Sequence, residues 1–134
     1  MSEENVEIMR AATEAMIRGD AQAALEALDP EIVWHATVGG VDEGRVYSGR
    51  EEVAQAFVDY FQTWQRIELR ADLIIDAGDE DVVVFWHEVA KGRASGAVVE
   101  TDTGTVNTVR GGKIAVVRSY MDRNDALEAA GLSE

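Results

Sequence analysis

Apolar and polar positions follow two different periods in this chain, and the change between them divides it. Over residues 3–18, Val6, Met9, Thr13 and Met16 fall along one stripe, with Ile8, Ala12 and Ala15 beside it. That is the 3.6-residue period of a helix with one buried face. Ser2 is placed to cap its start, and Gly19 to take the left-handed position at its end. Asp20 caps a second, short helix over 21–28, packing through Ala24, Leu25 and Leu28. Asp29-Pro30 ends it, because proline lacks the N–H that would continue the ladder. Residues 31–38 read as a strand carrying Ile32, Val33, Trp34 and His35, and 39–47 as a glycine-containing loop. Ser48 and Glu51 predict a capping box. The third helix then runs to about Trp64, with Val53, Phe57, Tyr60, Phe61 and Trp64 at helical spacing.

From residue 66 onward strands take over. Four are predicted, over 66–75, 81–91, 97–110 and 113–122, separated most sharply by the acidic turn 76–81 and by Gly111-Gly112. A small helix closes the chain. Helices first and an antiparallel meander last predict an α+β fold. The length of 134 residues suits one domain, 1–134, and no repeat or linker interrupts it. On 82–91 both parities are apolar: Val82, Val84, Trp86 and Ala90 on one side, Val83, Phe85 and Val89 on the other. Such a strand needs cover on both faces. One face can line a cavity, and the other can meet a partner or another layer of the same chain.

Charge narrows the partners. Twelve basic against twenty-six acidic residues give a net charge of −14, which repels phosphate backbones and anionic lipid. Neither nucleic acid nor a membrane surface is expected. No stretch approaches the roughly 18 apolar residues of a membrane span. The acidic start, Met1-Ser2-Glu3-Glu4-Asn5, lacks the basic and apolar regions of a signal peptide. With no cysteine in the chain, a cytoplasmic location is expected.

Chemistry-bearing residues are few. Glu88 shares a face with Trp86 and Val84. A carboxylate in an apolar pocket beside an indole has its pKa raised, which suits acid–base work. The bland alternative puts Glu88 in water at the strand end, or pairs it with Arg93 or Arg118. Thr101, Thr103, Thr105 and Asn107 share one parity, which is a polar pocket wall if it faces inward and a solvated face if it does not. Asn107 is the sharpest of these, because a buried amide needs partners. Trp34, Tyr60, Trp64 and Phe57 read as core that also lines a cavity. On the last strand Ala115, Val117, Ser119 and Met121 alternate with Ile114, Val116, Arg118, Tyr120 and Asp122. Asp122 either caps the closing helix or, with the opposite parity, becomes an inward acid. The histidines are His35 and His87, and His87 and the adjacent Glu88 face opposite ways, so no metal site is expected. No phosphate-cradling or nucleotide motif occurs, so no cofactor is expected.

The stretch from Gly111 through Asp122, followed by Ala126–Leu132, resembles the C-terminal signature of SnoaL-like proteins in the nuclear transport factor 2-like superfamily. Gly19-Asp20, Leu28-Asp29-Pro30-Glu31, Val33-Trp34-His35 and Tyr47-Ser48-Gly49 extend the resemblance along the chain. That superfamily includes polyketide cyclases, ketosteroid isomerases and limonene epoxide hydrolases. The resemblance implies a cone-shaped curved sheet wrapped on N-terminal helices around a single pocket, with Ala115, Val117, Ser119 and Met121 facing inward. It also implies a homodimer through the outer sheet face. Several family acids are missing. Ser119 stands where cyclases and epoxide hydrolases carry an aspartate, and Val117 where cyclases carry a histidine. The isomerases' tyrosine and aspartate fall at Ala12 and Ala36. The epoxide hydrolases' arginine and aspartate fall at Trp86 and Glu88, so one carboxylate remains. The resulting expectation is a cofactor-independent isomerase, cyclase or hydratase with Glu88 as acid/base. Trp34, Tyr60, Trp64, Trp86, Asn107 and Ser119 would hold a small apolar molecule bearing a carbonyl or hydroxyl. The alternative is a non-catalytic ligand-binding or dimerisation module of the same fold.

Overall fold

The computed structural model describes residues 2–132, with side chains from Glu3 onward. The side chain through which Ser2 would cap the helix therefore lies outside the described part. Helix α1 spans Ser2–Ile17 and α2 spans Ala21–Glu26, followed by strand β1, Leu28–Val38. A short strand β2, Val46–Ser48, precedes helix α3, Gly49–Thr63. Strands β3 (Trp64–Asp76), β4 (Asp81–Gly92), β5 (Val98–Arg110) and β6 (Lys113–Tyr120) complete the sheet, and α4 spans Arg123–Ala129. The order in the sheet is β2-β1-β6-β5-β4-β3. The β1–β6 pair is parallel and the others are antiparallel. This is an α+β fold with N-terminal helices and a curved open sheet.

Local chemistry explains most boundaries. Gly19 turns left-handed at the end of α1 (φ 79°), and the Asp20 side chain accepts from the Ala23 N–H at 3.1 Å to cap α2. Gly111 and Gly112 both have positive φ, the requirement of a tight two-residue hairpin, and join β5 to β6. Three boundary readings are corrected. Strand β1 begins at Leu28, not Glu31, and carries Pro30 through a register shift between Leu28 and Val33 where no ladder bond is needed. Strand β3 begins at Trp64, so the third helix stops one residue earlier than expected. The Ser48–Glu51 capping box does not form: the Ser48 side chain makes no cap bond, and Glu52 accepts from the Ser48 N–H at 2.8 Å instead.

The sheet has two covered faces. On the inner face Met9 of α1 and Val53 of α3 pack with Ile32, Val82, Val84, Val109, Ile114 and Val117. On the outer face Ala126 of α4 packs with Val83 and Val106, and Phe85, Tyr120 and Leu127 close around them. The second apolar side of β4 is thus covered in part by this chain's own closing helix. Gly104 on β5 makes that possible, since a Cβ there would stand 2.8 Å from the Ala126 Cβ. Ile114, assigned to the face opposite Val117, shares the inner core with it. The register shift between Thr108 and Val109 reverses the alternation at that end of β6.

Candidate ligand site

The inner face carries a line of polar groups set among aromatic rings. Across it, Val84 pairs with Thr105, and Thr105 with Ser119. Thr105, Asn107 and Ser119 are buried. Trp86 donates its indole N–H to Thr105 Oγ1 at 3.3 Å. The Asn107 amide donates to Thr105 Oγ1 at 2.9 Å and to the Val82 carbonyl at 3.0 Å. The inward reading of the Thr105–Asn107 parity therefore holds at this end of β5. Ser119 Oγ lies 3.0 Å from Thr37 Oγ1, so its hydroxyl is tied to another hydroxyl and bonds no base among the described residues. Thr37 escaped the sequence reading because β1 shifts register between His35 and Val38, which breaks simple alternation from Trp34.

Aromatic rings pack edge-on beside these groups. Trp34 meets Phe57 edge-on at 5.0 Å, and Tyr60 meets Trp64 at 6.4 Å. Among the described residues Thr13 Oγ1 on α1 is buried without a partner, while the buried Trp64 indole N–H is turned to the Tyr60 hydroxyl. Thr13 was read only as part of a packing stripe. Its neighbour along that stripe, Met9, sits in the inner core.

Glu88 stands towards the other end of β4, half-buried and opposite Thr101. The Tyr60 hydroxyl donates to Glu88 Oε2. Burial, then the bond to Glu88, push the Tyr60 phenol well above its ordinary range, so it stays protonated. Neither arginine considered as a partner reaches Glu88. Arg93 donates to the Gln62 carbonyl at 2.7 Å, and Arg118 lies 3.8 Å from Asp81. No feature of the sequence could pair Tyr60 with Glu88, 28 residues apart. Beside Tyr60 a groove of about 460 Å³ opens between α3 and the 42–47 segment, with Asp42, Tyr47 and Asp59 on its walls. Burial and a hydrogen bond to Asp42 raise the Tyr47 phenol as well.

The predicted residues therefore fall into two groups. Glu88, Tyr60 and Trp64 gather towards one end, while Asn107 and Ser119 gather with Thr105 towards the other. Asn107 pairs with Val82, six residues from Glu88 along β4. That is roughly 20 Å of extended strand. Trp86 stands between the groups, with its indole reaching the inner one. Asp122, the alternative inward acid, caps α4 by accepting from the Asn124 N–H at 2.8 Å.

The outer face holds a cluster the sequence reading missed. Asp72, His87 and Asp102, on three adjacent strands, offer ligand atoms within 4.8 Å of one another. Arginines already occupy the carboxylates. Arg70 lies 2.7 Å and Arg123 2.8 Å from Asp72, and Arg123 lies 3.5 Å from Asp102. His87 Nδ1 is 2.5 Å from Asp102. The hydrogen bond to Arg70 first, and that to Arg123 second, pull the Asp72 carboxyl down to about 2.

Solved structures share this architecture. A nuclear transport factor 2-like protein of unknown function from Burkholderia pseudomallei is 23% identical, over 93% of this chain and 95% of that one, with a TM-score of 0.75. TerC, co-crystallised with polyporic acid, is 19% identical over 96% and 98% of the two chains, also at 0.75. A Mycobacterium tuberculosis protein in complex with estradiol-17beta-hemisuccinate is 13% identical over 87% and 92%, at 0.70. At these identities the likeness shows the fold. No match was found among curated protein sequences. Residues 9–117, most of the chain, match the SnoaL-like domain, and the protein belongs to that family.

Proposed function

We propose that this protein is a cofactor-independent enzyme acting by proton transfer on a small apolar carbonyl- or hydroxyl-bearing molecule, with Glu88 as the acid/base. The observation that carries this reading is the Tyr60–Glu88 pair. It fixes one carboxylate oxygen at an aromatic rim and leaves Oε1 without a partner among the described residues. An unengaged carboxylate oxygen held by a neutral donor can take a proton from a carbon next to a carbonyl and return it at a neighbouring atom. Trp34, Trp64 and Trp86 supply the apolar walls. Solved relatives of this fold accommodate polyporic acid and a steroid hemisuccinate, which supports a small-molecule pocket.

The test is deuterium incorporation from D2O into α-tetralone, an apolar ketone with exchangeable α-hydrogens, followed by proton NMR. The wild type should exceed buffer, and Glu88→Gln should fall to the buffer rate while keeping its circular dichroism spectrum. Equal rates for the two proteins would refute the assignment. A second reading, a non-catalytic binding module, is favoured by one observation: Ala12, Ala36 and Ser119 hold no acid where family enzymes do. It predicts tetralone binding with no exchange above buffer. A homodimer through the outer sheet face belongs to the same proposal. Leu73 and Val98 remain exposed there beyond the cover of α4, and sedimentation equilibrium would measure the mass.

A further inference from the structure

Within the inner group, the Thr105–Asn107 pair has a hydrogen-bond pattern that leaves it one free donor and one free acceptor atom among the described residues. The Asn107 amide is fixed in orientation because its nitrogen donates to the Val82 carbonyl, which can only accept. The second amide hydrogen goes to Thr105 Oγ1. Both hydrogens are consumed, so Asn107 has nothing left to give to a ligand carbonyl. Its Oδ1 accepts no hydrogen bond from the described residues, although the residue is 3% exposed. Thr105 is the mirror case. Its oxygen accepts from Asn107 and from the Trp86 indole, which fills both lone pairs. What remains is the hydroxyl hydrogen. The 2.9 Å bond between the residues keeps the two groups adjacent.

We infer that the Thr105–Asn107 pair selects a ligand hydroxyl, a group that donates to Asn107 Oδ1 while accepting from the Thr105 O–H. A ketone or ether oxygen satisfies Thr105 alone and leaves the Asn107 oxygen unpaired in a buried place, which is the costly situation. This inference rests on the small-molecule pocket reading but not on Glu88, which sits six residues away along β4. It narrows the role expected of Asn107, from holding a carbonyl or hydroxyl to accepting from a hydroxyl.

The test uses three bicyclic probes of similar shape at neutral pH: 2-naphthol, 2-methoxynaphthalene and 2-acetylnaphthalene. Binding is read from tryptophan fluorescence and from the Asn107 side-chain amide resonances. The expected result is 2-naphthol binding about tenfold more tightly than either of the others, the size of one buried hydrogen bond gained. Thr105→Val should weaken 2-naphthol and 2-methoxynaphthalene alike and keep their order, Thr105→Ser should restore both, and Asn107→Leu should bring the two to equal affinity. If the Val variant does not fold, the wild-type probe ranking and the Ser variant still decide. Equal affinity for the three probes overturns the hydroxyl inference and leaves the pocket standing. No binding of any probe overturns the pocket reading, and this inference with it.

Discussion

Gly104 is the point at which the closing helix touches the sheet, and replacing it by alanine isolates that contact. The added methyl would stand 2.8 Å from the Ala126 Cβ, 3.5 Å from the Arg123 Cα and 3.6 Å from the Phe85 ring. The first distance is well inside van der Waals contact, and both carbons are anchored directly to backbone, so α4 must move by several tenths of an ångström. Complete undocking would expose Val83 and Val106, now fully buried. That costs more, at about 1.5–3 kcal/mol for each side chain. The helix should therefore shift and stay bound, with an overpacking cost of about 1–3 kcal/mol. Gly104 does not adopt the left-handed backbone, so alanine also recovers a few tenths of a kcal/mol or more from the unfolded state. The net loss expected is roughly 1–2 kcal/mol, or about 4–8 °C in melting temperature. Urea denaturation of wild type, Gly104→Ala, Ala126→Gly and the double variant would close the cycle. Ala126→Gly alone loses about 1 kcal/mol of helix propensity plus some buried area. The double variant should be more stable than the two single losses predict, by about 1 kcal/mol or more. A Gly104→Ala protein as stable as wild type, or additive losses within about 0.3 kcal/mol, would refute the close-approach argument.

Three further outcomes follow from the same structure. Thr13→Val replaces a buried, unpartnered hydroxyl by an isosteric methyl and should raise stability by about 1 kcal/mol in urea denaturation, while a loss would mean the hydroxyl has a partner. Arg123 donates to the carbonyls of Trp86 (2.9 Å) and Thr103 (3.3 Å) and lies over the Phe85 ring, so Arg123→Met should cost roughly 2 kcal/mol by thermal melting. Its surface ion pairs should add little to that. Asp72 has a folded pKa of about 2, below its unfolded value, so the stability it contributes is present above that unfolded value and is lost as pH falls towards 2. In Arg123→Met, carboxyl NMR should show Asp72 titrating at a higher pH, and an unmoved titration would show that Arg70 alone holds it.

Residues whose role is set by neighbours in sequence could be read directly; residues whose role is set across strands could not. Gly19, Asp20 and the Gly111-Gly112 turn behave as their local chemistry dictates, because a cap or a hairpin turn involves only a few consecutive residues. The parity of Val82 against Val83, and of Val117 with Ser119, also follows from alternation, since no bulge intervenes. Where a bulge does intervene the reading fails, at Ile114 and at Thr37, and one extra residue is enough to reverse a face. The closing helix is the clearest case of partial reading. Its cap at Asp122 is local, but its docking depends on Gly104, eighteen residues upstream of Asp122 and marked in the sequence only by the lack of a side chain.

The candidate site divides along the same line. Each of Glu88, Tyr60, Trp86, Asn107 and Ser119 was singled out by residue type, yet type could not say which of them meet. The strand register supplies that, and it separates the carboxylate from the amide by six residues. Asn107 shows why the distinction matters for function. As a residue type an amide can donate or accept, but here Val82 and Thr105 take both of its hydrogens and leave only the oxygen. What this wall can offer is therefore determined less by which polar residue is present than by which of its atoms the neighbours have already used.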